Sequence, residues 1–243
     1  MKDIGKLFME YTKYQYLGES DQQKGEPQPP LEKEYCEGEV IKLPKNFHKK
    51  EVTLNDVISS RRSLRKYSTV PLTLEELAYL LWNTQGVISK NEKATLRTVP
   101  SAGARHPFHT YLLINNVENI KGGLYRYNAI SHTLVSFKLQ EEIKEQMVAA
   151  CLGQPFVGTS AVTFIWTVDI YRTSYRYGER AYRYVHLDAG HVCQNLYLAA
   201  EAIECGACAI AAFNDDLTNN LLDLDGENEF VIYLAAVGKK IKG

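Results

Sequence analysis

No apolar run in the 243 residues reaches the roughly 18–20 that a membrane-spanning helix needs, so no membrane segment is expected. The first residues, MKDIGKLFMEYTKYQ, carry charge throughout and lack the apolar stretch of a secretory leader. Cysteine is scarce and odd in number: Cys36, Cys151, Cys193, Cys205 and Cys208. That pattern argues for reduced thiols in a cytoplasmic protein rather than a disulfide framework. Excess charge is also lacking. The formal net charge is −1, so no global field draws the chain to nucleic acid or to an anionic membrane. An anion site must then be a local cluster of cations. GxGxxG, Walker A and GxSxG motifs are all missing, which argues against a Rossmann nicotinamide site. The one CxxC, Cys205 with Cys208, has no second CxxC or spaced His pair to complete a zinc site. His186 and His191 are five apart, which does not suit one helical face, so no metal is expected.

What is present suits one large domain with an extension. Hydrophobic residues make up 45% of the chain, enough to bury a core without disulfides. Residues 1–50 read as an N-terminal extension. Its GEPQPPLEKEY stretch, rich in Pro and charge, is expected to lie extended over the surface or over a partner subunit. The compact domain is placed at 51–243. Thr53 with Asp56 marks a helix start, and Leu54, Val57 and Ile58 share a face that should fray near Ser59 and Ser60. Thr73 and Glu76 fit a capping box before the stripe Leu74, Leu77 and Leu81. Strands are predicted at 111–114, 124–127, 134–137, 162–168 and 230–237. The longest helix is predicted over 184–204. Val185, Ala189, Val192, Leu196, Ala199 and Ile203 form one stripe, with Gly190, Cys193, Tyr197 and Ala200 beside it. Helices and strands mix along the chain, so the class is α+β.

Four segments carry candidate chemistry. In Arg61-Arg62-Ser63-Leu64-Arg65-Lys66-Tyr67, an extended backbone would point Arg61, Ser63 and Arg65 to one side. Guanidinium forks match phosphate oxygens. Read alone, the string is more often a solvated basic loop. Residues 100–108, PSAGARHPF, set small residues between two prolines, so backbone can approach a flat ring closely; an ordinary turn before a strand has the same look. Ile210-Ala211-Ala212-Phe213 leaves backbone amides accessible after the long helix, or is a small-residue packing site. Between 171 and 184, Arg172, Arg176, Arg180 and Arg183 fall at helical spacing with tyrosines between them. Basic and aromatic residues together suit nucleic-acid stacking. A solvated helix face weighs more, because Glu179 and the net charge leave no broader basic field. Cys205 and Cys208 read as two small buried cysteines at a tight helix end, with a redox dithiol as the alternative.

Taken in order, RRSLRKY, PSAGARHPF, LDAGHVCQNLYLAAEAIECGACAIAAF and YLAAVGK resemble the FMN-dependent nitroreductase superfamily. The stretch YGERAYRYVHLDAGHVCQNLYLAAEA is particularly similar to SagB-type dehydrogenases, among them the azoline dehydrogenases that oxidise thiazolines and oxazolines in peptides. The upstream IKLP resembles their lead-in. The likeness covers residues 41–240. It implies a mixed sheet with flanking helices around a long central helix, in an intertwined homodimer that shares each flavin. It implies that Arg61, Arg62, Ser63 and Arg65 hold the FMN phosphate and ribityl chain. Pro100, Ser101, Ala102 and Gly103 would form a loop reaching FMN from the other protomer. Ala211 and Ala212 would supply the backbone facing flavin N5, and Gly238, Lys239 and Lys240 would lie at the phosphate. Many relatives have Asn at the position of Ala104 and Glu-Gly at Ala211-Ala212. Azoline dehydrogenases carry a catalytic Lys-Tyr pair where this chain has Arg176-Tyr177. Arginine stays protonated, so it is a poor base but can orient an anion, while Tyr177 can relay a proton.

The expected protein is therefore an FMN-dependent oxidoreductase passing hydride through N5, on a small-molecule or modified-peptide substrate. NAD(P)H would bind only transiently as reductant. Two alternatives stand beside it: an NAD(P)H-dependent nitro or quinone reductase, and a non-catalytic flavin-binding partner subunit.

Overall fold

The computed structural model describes residues 3–33, 35, 37–45, 47 and 51–241. Cys36 and the predicted boundary at residue 50 lie outside these. In chain order the elements are α1 (Ile4–Tyr11), α2 (Asp21–Lys24), β1 (Val40–Lys42), α3 (Leu54–Ser60), α4 (Leu74–Gln85), β2 (Val87–Lys90) and β3 (Thr95–Arg97). Then come β4 (Phe108–Ile114), β5 (Gly123–Asn128), β6 (Thr133–Lys138), α5 (Ile143–Ala150), α6 (Pro155–Thr159), β7 (Val162–Asp169) and α7 (Ile170–Tyr177). The last four are α8 (Ala181–Ala202), β8 (Cys205–Ile210), α9 (Asp215–Leu221) and β9 (Glu229–Lys239).

Seven strands form one sheet in the order β1-β6-β5-β4-β7-β9-β8. Its ladders are antiparallel. Parallel character enters at the β8 edge, where Ser63 bridges Ala207. The central strands β4 and β7 alternate their side chains between two cores. Leu112, Ile114, Phe164 and Trp166 meet α4 and α8 on one face. Tyr111, Leu113 and Ile165 meet α5 and α6 on the other. The fold is thus α+β, a sheet with helices on both faces and α8 as its longest element.

Local signals account for the helix starts. The Thr53 hydroxyl accepts from the Asp56 amide at 3.2 Å. Thr73 and Glu76 complete the capping box, with bonds of 3.1 and 3.0 Å. Leu77, Leu80 and Leu81 are fully buried behind it. Every member of the stripe Val185–Ala189–Val192–Leu196–Ala199–Ile203 is buried. In the second stripe Cys193 and Ala200 are buried, whereas Gly190 is exposed.

Three readings need correction. The long helix begins at Ala181 and stops at Ala202, where Glu204 takes a left-handed φ of 60°. Residues 205–210, read as a helix end and bend, form edge strand β8 paired with β9. Cys205 and Cys208 stand three apart on that strand, so they face opposite sides. Cys205 joins the α8 core and Cys208 the other. They cannot act as a dithiol or share a metal.

The second concerns the bounds of the compact domain: outside the Pro-rich stretch, residues 1–50 carry α1 and α2, and β1 pairs with β6 as the far edge of the main sheet. The third concerns the basic and aromatic segment. Gly178, at φ 51°, breaks it between α7 and α8, and of its four arginines only Arg176 is exposed, the other three being engaged by the N-terminal segment. Arg172 donates to the Leu31 carbonyl, Arg180 to the Thr12 carbonyl and Arg183 to the Met9 carbonyl. Tyr175 donates to the Glu26 carbonyl, and the Tyr14 and Tyr184 hydroxyls meet at 2.7 Å. The N-terminal segment is clamped onto its own chain by these side chains.

Candidate functional site

After α3 the chain runs extended along the β8 edge. The Leu64 amide donates to the Ala207 carbonyl at 2.9 Å, and the Ser68 amide to the Lys239 carbonyl at 2.9 Å. This path needs two glycines beneath it. A Cβ on Gly206 would stand 2.4 Å from Leu64 Cδ2, and one on Gly238 would stand 2.7 Å from the Tyr67 ring. Tyr67 fixes the turn by donating to the Leu64 carbonyl at 2.6 Å.

Along this segment the predicted alternation holds in part. The Arg61 guanidinium lies 5.2 Å from the Tyr197 ring centre, and the Ser63 and Tyr197 hydroxyls are 3.0 Å apart. Arg65 lies over Phe156, 5.9 Å from the ring centre. Arg62 turns back instead and donates to the Ser59 and Arg61 carbonyls. Tyr197 ties this segment to β8, because its oxygen accepts the Ala209 amide at 2.8 Å. Just beyond, Ala211 and Ala212 are exposed, with the Ala212 carbonyl held by Gln154 at 2.8 Å. Arg61, Ser63, Arg65 and the Ala211-Ala212 backbone therefore share one neighbourhood at the sheet edge. The sequence reading placed Tyr197 among core positions. Its phenol, alone in a stripe of small residues, was the available signal.

The C-terminal cations are otherwise engaged. Lys239 pairs with Glu76 and Lys240 with Glu201. Both line an open groove of about 880 Å³ with Ser68, Val70, Glu204 and Ile241.

The loop at 100–103 lies elsewhere, against the first half of α8. Ser101 donates to an Asp188 oxygen at 2.6 Å, and the Ala102 amide meets the same carboxylate at 3.1 and 3.2 Å. Ser101 in turn accepts the His106 amide at 3.0 Å. Asp188 is buried, and burial raises its pKa against the pull of these donors. The turn that follows is strained: Gly103, Ala104 and His106 have φ of 59°, 53° and 45°. Arg176 and Tyr177, at the end of α7, converge on it. A Cβ on Gly103 would meet the Tyr177 hydroxyl at 2.5 Å and Arg176 Nη1 at 3.3 Å. The predicted pair and the predicted loop therefore belong together, in one chain.

The two halves of the predicted site do not come together in one chain. Asp188 and Tyr197 are nine residues apart on α8, about 13 Å along the axis and half a turn round it. The loop and the arginine strip sit on opposite faces of the helix.

The sequence pattern of the Nitroreductase family matches residues 58–239. The chain belongs to this family. A Methanocaldococcus jannaschii protein named as a nitroreductase is 36% identical over 192 residues, spanning 79% of this chain and 93% of that protein. The trifolitoxin-processing protein TfxB of Rhizobium leguminosarum bv. trifolii is 26% identical over 220 residues, spanning 75% of this chain. Only 56% of TfxB is covered. Among solved structures, the E. coli microcin synthetase McbBCD complex with truncated pro-MccB17 aligns with a TM-score of 0.63 at 20% identity. It covers 85% of this chain and 80% of that one, and at this identity shows the fold. Among the described residues no helix is long and apolar enough to cross a membrane, and no group of three or more His, Cys, Asp or Glu could hold a metal.

Proposed function

We propose that this nitroreductase-family chain is an FMN-dependent oxidoreductase of the SagB-type dehydrogenase subgroup, acting as a cytoplasmic homodimer on a modified peptide. One observation carries the cofactor assignment: Arg61, Ser63 and Arg65 gathered beside the exposed Ala211-Ala212 backbone, with Tyr197 bracing them. Among the described residues neither Arg61 nor Arg65 has a carboxylate partner within ion-pair distance. Two unneutralised guanidiniums and a hydroxyl suit a phosphomonoester dianion. Bound FMN would supply hydride acceptance and release at N5. Arg61, Ser63 and Arg65 bind its phosphate in this reading, with Arg62 bracing their backbone, and Gly238 lets the segment lie close. Lys239 and Lys240 add local positive potential once Glu76 and Glu201 yield them. Ala211 and Ala212 present backbone to the ring. Pro100 to Gly103 of the second protomer cover it and exclude water, because the same loop in one chain is on the wrong face of α8. Tyr177 moves a proton at its phenol oxygen, and Arg176 orients the substrate.

The peptide substrate is supported by the likeness to a trifolitoxin-processing protein and to a microcin synthetase component. A nitro or quinone reductase fed transiently by NAD(P)H is the second reading, supported by the 36% identity to the archaeal protein named for nitroreduction. Purified protein titrated with FMN should quench flavin fluorescence, and Arg61→Gln/Arg65→Gln should weaken that binding at least tenfold, in line with losing two charge-assisted contacts. Failure of wild-type protein to bind FMN would overturn the proposal. Anaerobic mixing with NADPH separates the two readings, since prompt bleaching of the flavin marks the reductase. A non-catalytic partner subunit would show no change in turnover in Arg176→Lys or Tyr177→Phe.

A further inference from the structure

Tyr177 closes α7, and its phenol is steered by ring contacts. Among the described residues no hydrogen bond reaches its hydroxyl. The backbone does not fix its direction either. Gly178 follows at φ 51° and ψ −141°, close to a region that essentially only glycine enters. A corner that turns on glycine is free to bend, so what packs on Tyr177 decides where its oxygen stands. That place is specific, because the oxygen lies 2.5 Å from where a Cβ on Gly103 would be.

The packing comes from Tyr184, in the first turn of α8. Its ring stands 4.8 Å from that of Tyr177, centre to centre, with 70° between the planes. This is the edge-to-face arrangement that aromatic rings favour. Tyr184 is itself held at its oxygen. Arg180 Nε donates to it at 2.9 Å, and the Tyr14 hydroxyl meets it at 2.7 Å. Tyr14 opens the single 3-10 turn Tyr14–Tyr16 in the N-terminal extension. Arg180 also stands over the Tyr14 ring, 4.3 Å from its centre, and donates to the Thr12 carbonyl at 2.8 Å. The extension thus grips both arms of the corner. Arg172 and Tyr175 on α7 reach Leu31 and Glu26, and Arg180 and Arg183 reach Thr12 and Met9. These extension residues lie outside the family match at 58–239. We propose that Tyr184 is a positioning residue for Tyr177, locked by Arg180 and by Tyr14, so that the docked N-terminal extension sets where the Tyr177 hydroxyl stands over Gly103. The inference rests on the reading of Tyr177 as the group that moves a proton.

3-Fluorotyrosine installed at position 177 of the full chain reports the surroundings of that ring by fluorine NMR, with or without FMN. Tyr184→Phe keeps the ring contact and loses both hydrogen bonds, so it should shift or broaden the resonance. Tyr14→Phe removes one oxygen from an exposed side chain, two contacts away, and should do the same to a smaller extent. Tyr16→Phe is the control, because that hydroxyl donates to Glu10 at 3.0 Å and should leave the resonance in place. Turnover is read with NADPH and menadione on the unlabelled protein. In Tyr184→Phe kcat should fall about tenfold with KM for menadione and FMN affinity unchanged, since a small misplacement of a reacting group lowers turnover more than binding. A resonance unmoved in both Tyr14→Phe and Tyr184→Phe overturns the proposal. So does a moved resonance with unaltered kcat, and so does a loss of FMN affinity that matches the loss of kcat, which would mark general damage to the fold. Wild-type protein that never takes up FMN sinks the flavin reading instead. In that case, or if menadione is not turned over, the fluorine signal alone decides whether the extension sets Tyr177.

Discussion

Asp188 carries a charge into the buried arc of α8, and its two donors come from a loop 86 residues earlier. Removing the carboxylate leaves the Ser101 hydroxyl and Ala102 amide without an acceptor, so Asp188→Ala should cost about 2–3 kcal/mol of stability in urea unfolding. Asp188→Asn keeps one carbonyl oxygen and should lose less. Equal stability of the Ala variant and wild type would show that the contact contributes nothing. A helical stripe in the sequence shows which side of α8 is buried, but it cannot show what a carboxylate there accepts. Two histidines close to the same loop set the response to acid. Burial, with Arg97 and Arg172 nearby, lowers the His106 pKa to about 3 and also takes that of His109 well below its usual value. The unfolded chain therefore binds more protons than the native one below about pH 6.5. Stability held above that pH is lost as the pH falls from 6.5 toward 3, by a few kcal/mol for His106. His106→Gln should flatten the acid limb of stability against pH; an unchanged slope would contradict this.

Elements with local signals were legible in the sequence. The caps at Thr53 and Thr73 set α3 and α4, and the β-branched or aromatic runs set β4 to β7 and β9. Strand β8 was not legible, because Cys-Gly-Ala-Cys-Ala-Ile has little of the β-branched character that marks a strand. It is a strand because β9 offers an edge and because small residues let the arginine segment pass over it. The docking of residues 3–33 was missed for a related reason: its partners are distant in sequence. The arginine segment itself was legible as chemistry, and its bed of glycines was not. Gly238→Ala should force Tyr67 off the strand, since the new Cβ would stand 2.7 Å from the ring. Overpacking of this kind costs about 1–3 kcal/mol. Because it displaces residues 61–67, FMN affinity should fall too, measured by fluorescence titration. Gly190→Ala, at an exposed helix position with open space around it, is the control that should leave both quantities unchanged or slightly improved. An unaltered FMN affinity in Gly238→Ala would separate this segment from the cofactor.

At the scale of the whole molecule, the sheet and α8 hold the candidate groups apart. Arg61, Ser63 and Arg65 rest on Tyr197, and the strained turn with Arg176 and Tyr177 rests beside Asp188, half a turn round the helix and about 13 Å away. In the proposed reading a complete site needs both sets, and a second copy brings the loop that one chain carries on the far face. Two inactive variants can then rescue each other. Arg61→Glu/Arg65→Glu removes the phosphate grip, and Gly103→Val puts a side chain against Tyr177. Each alone should be inactive. In an equal mixture refolded or co-expressed together, about half the dimers would be mixed, and each mixed dimer would hold one intact site and one doubly damaged site. Turnover should return to about a quarter of the wild-type value. If each site were built within one chain, every site in the mixture would carry one defect and no activity would return. Sedimentation of the wild type checks the premise, because a monomer that binds FMN and turns over would exclude the shared site.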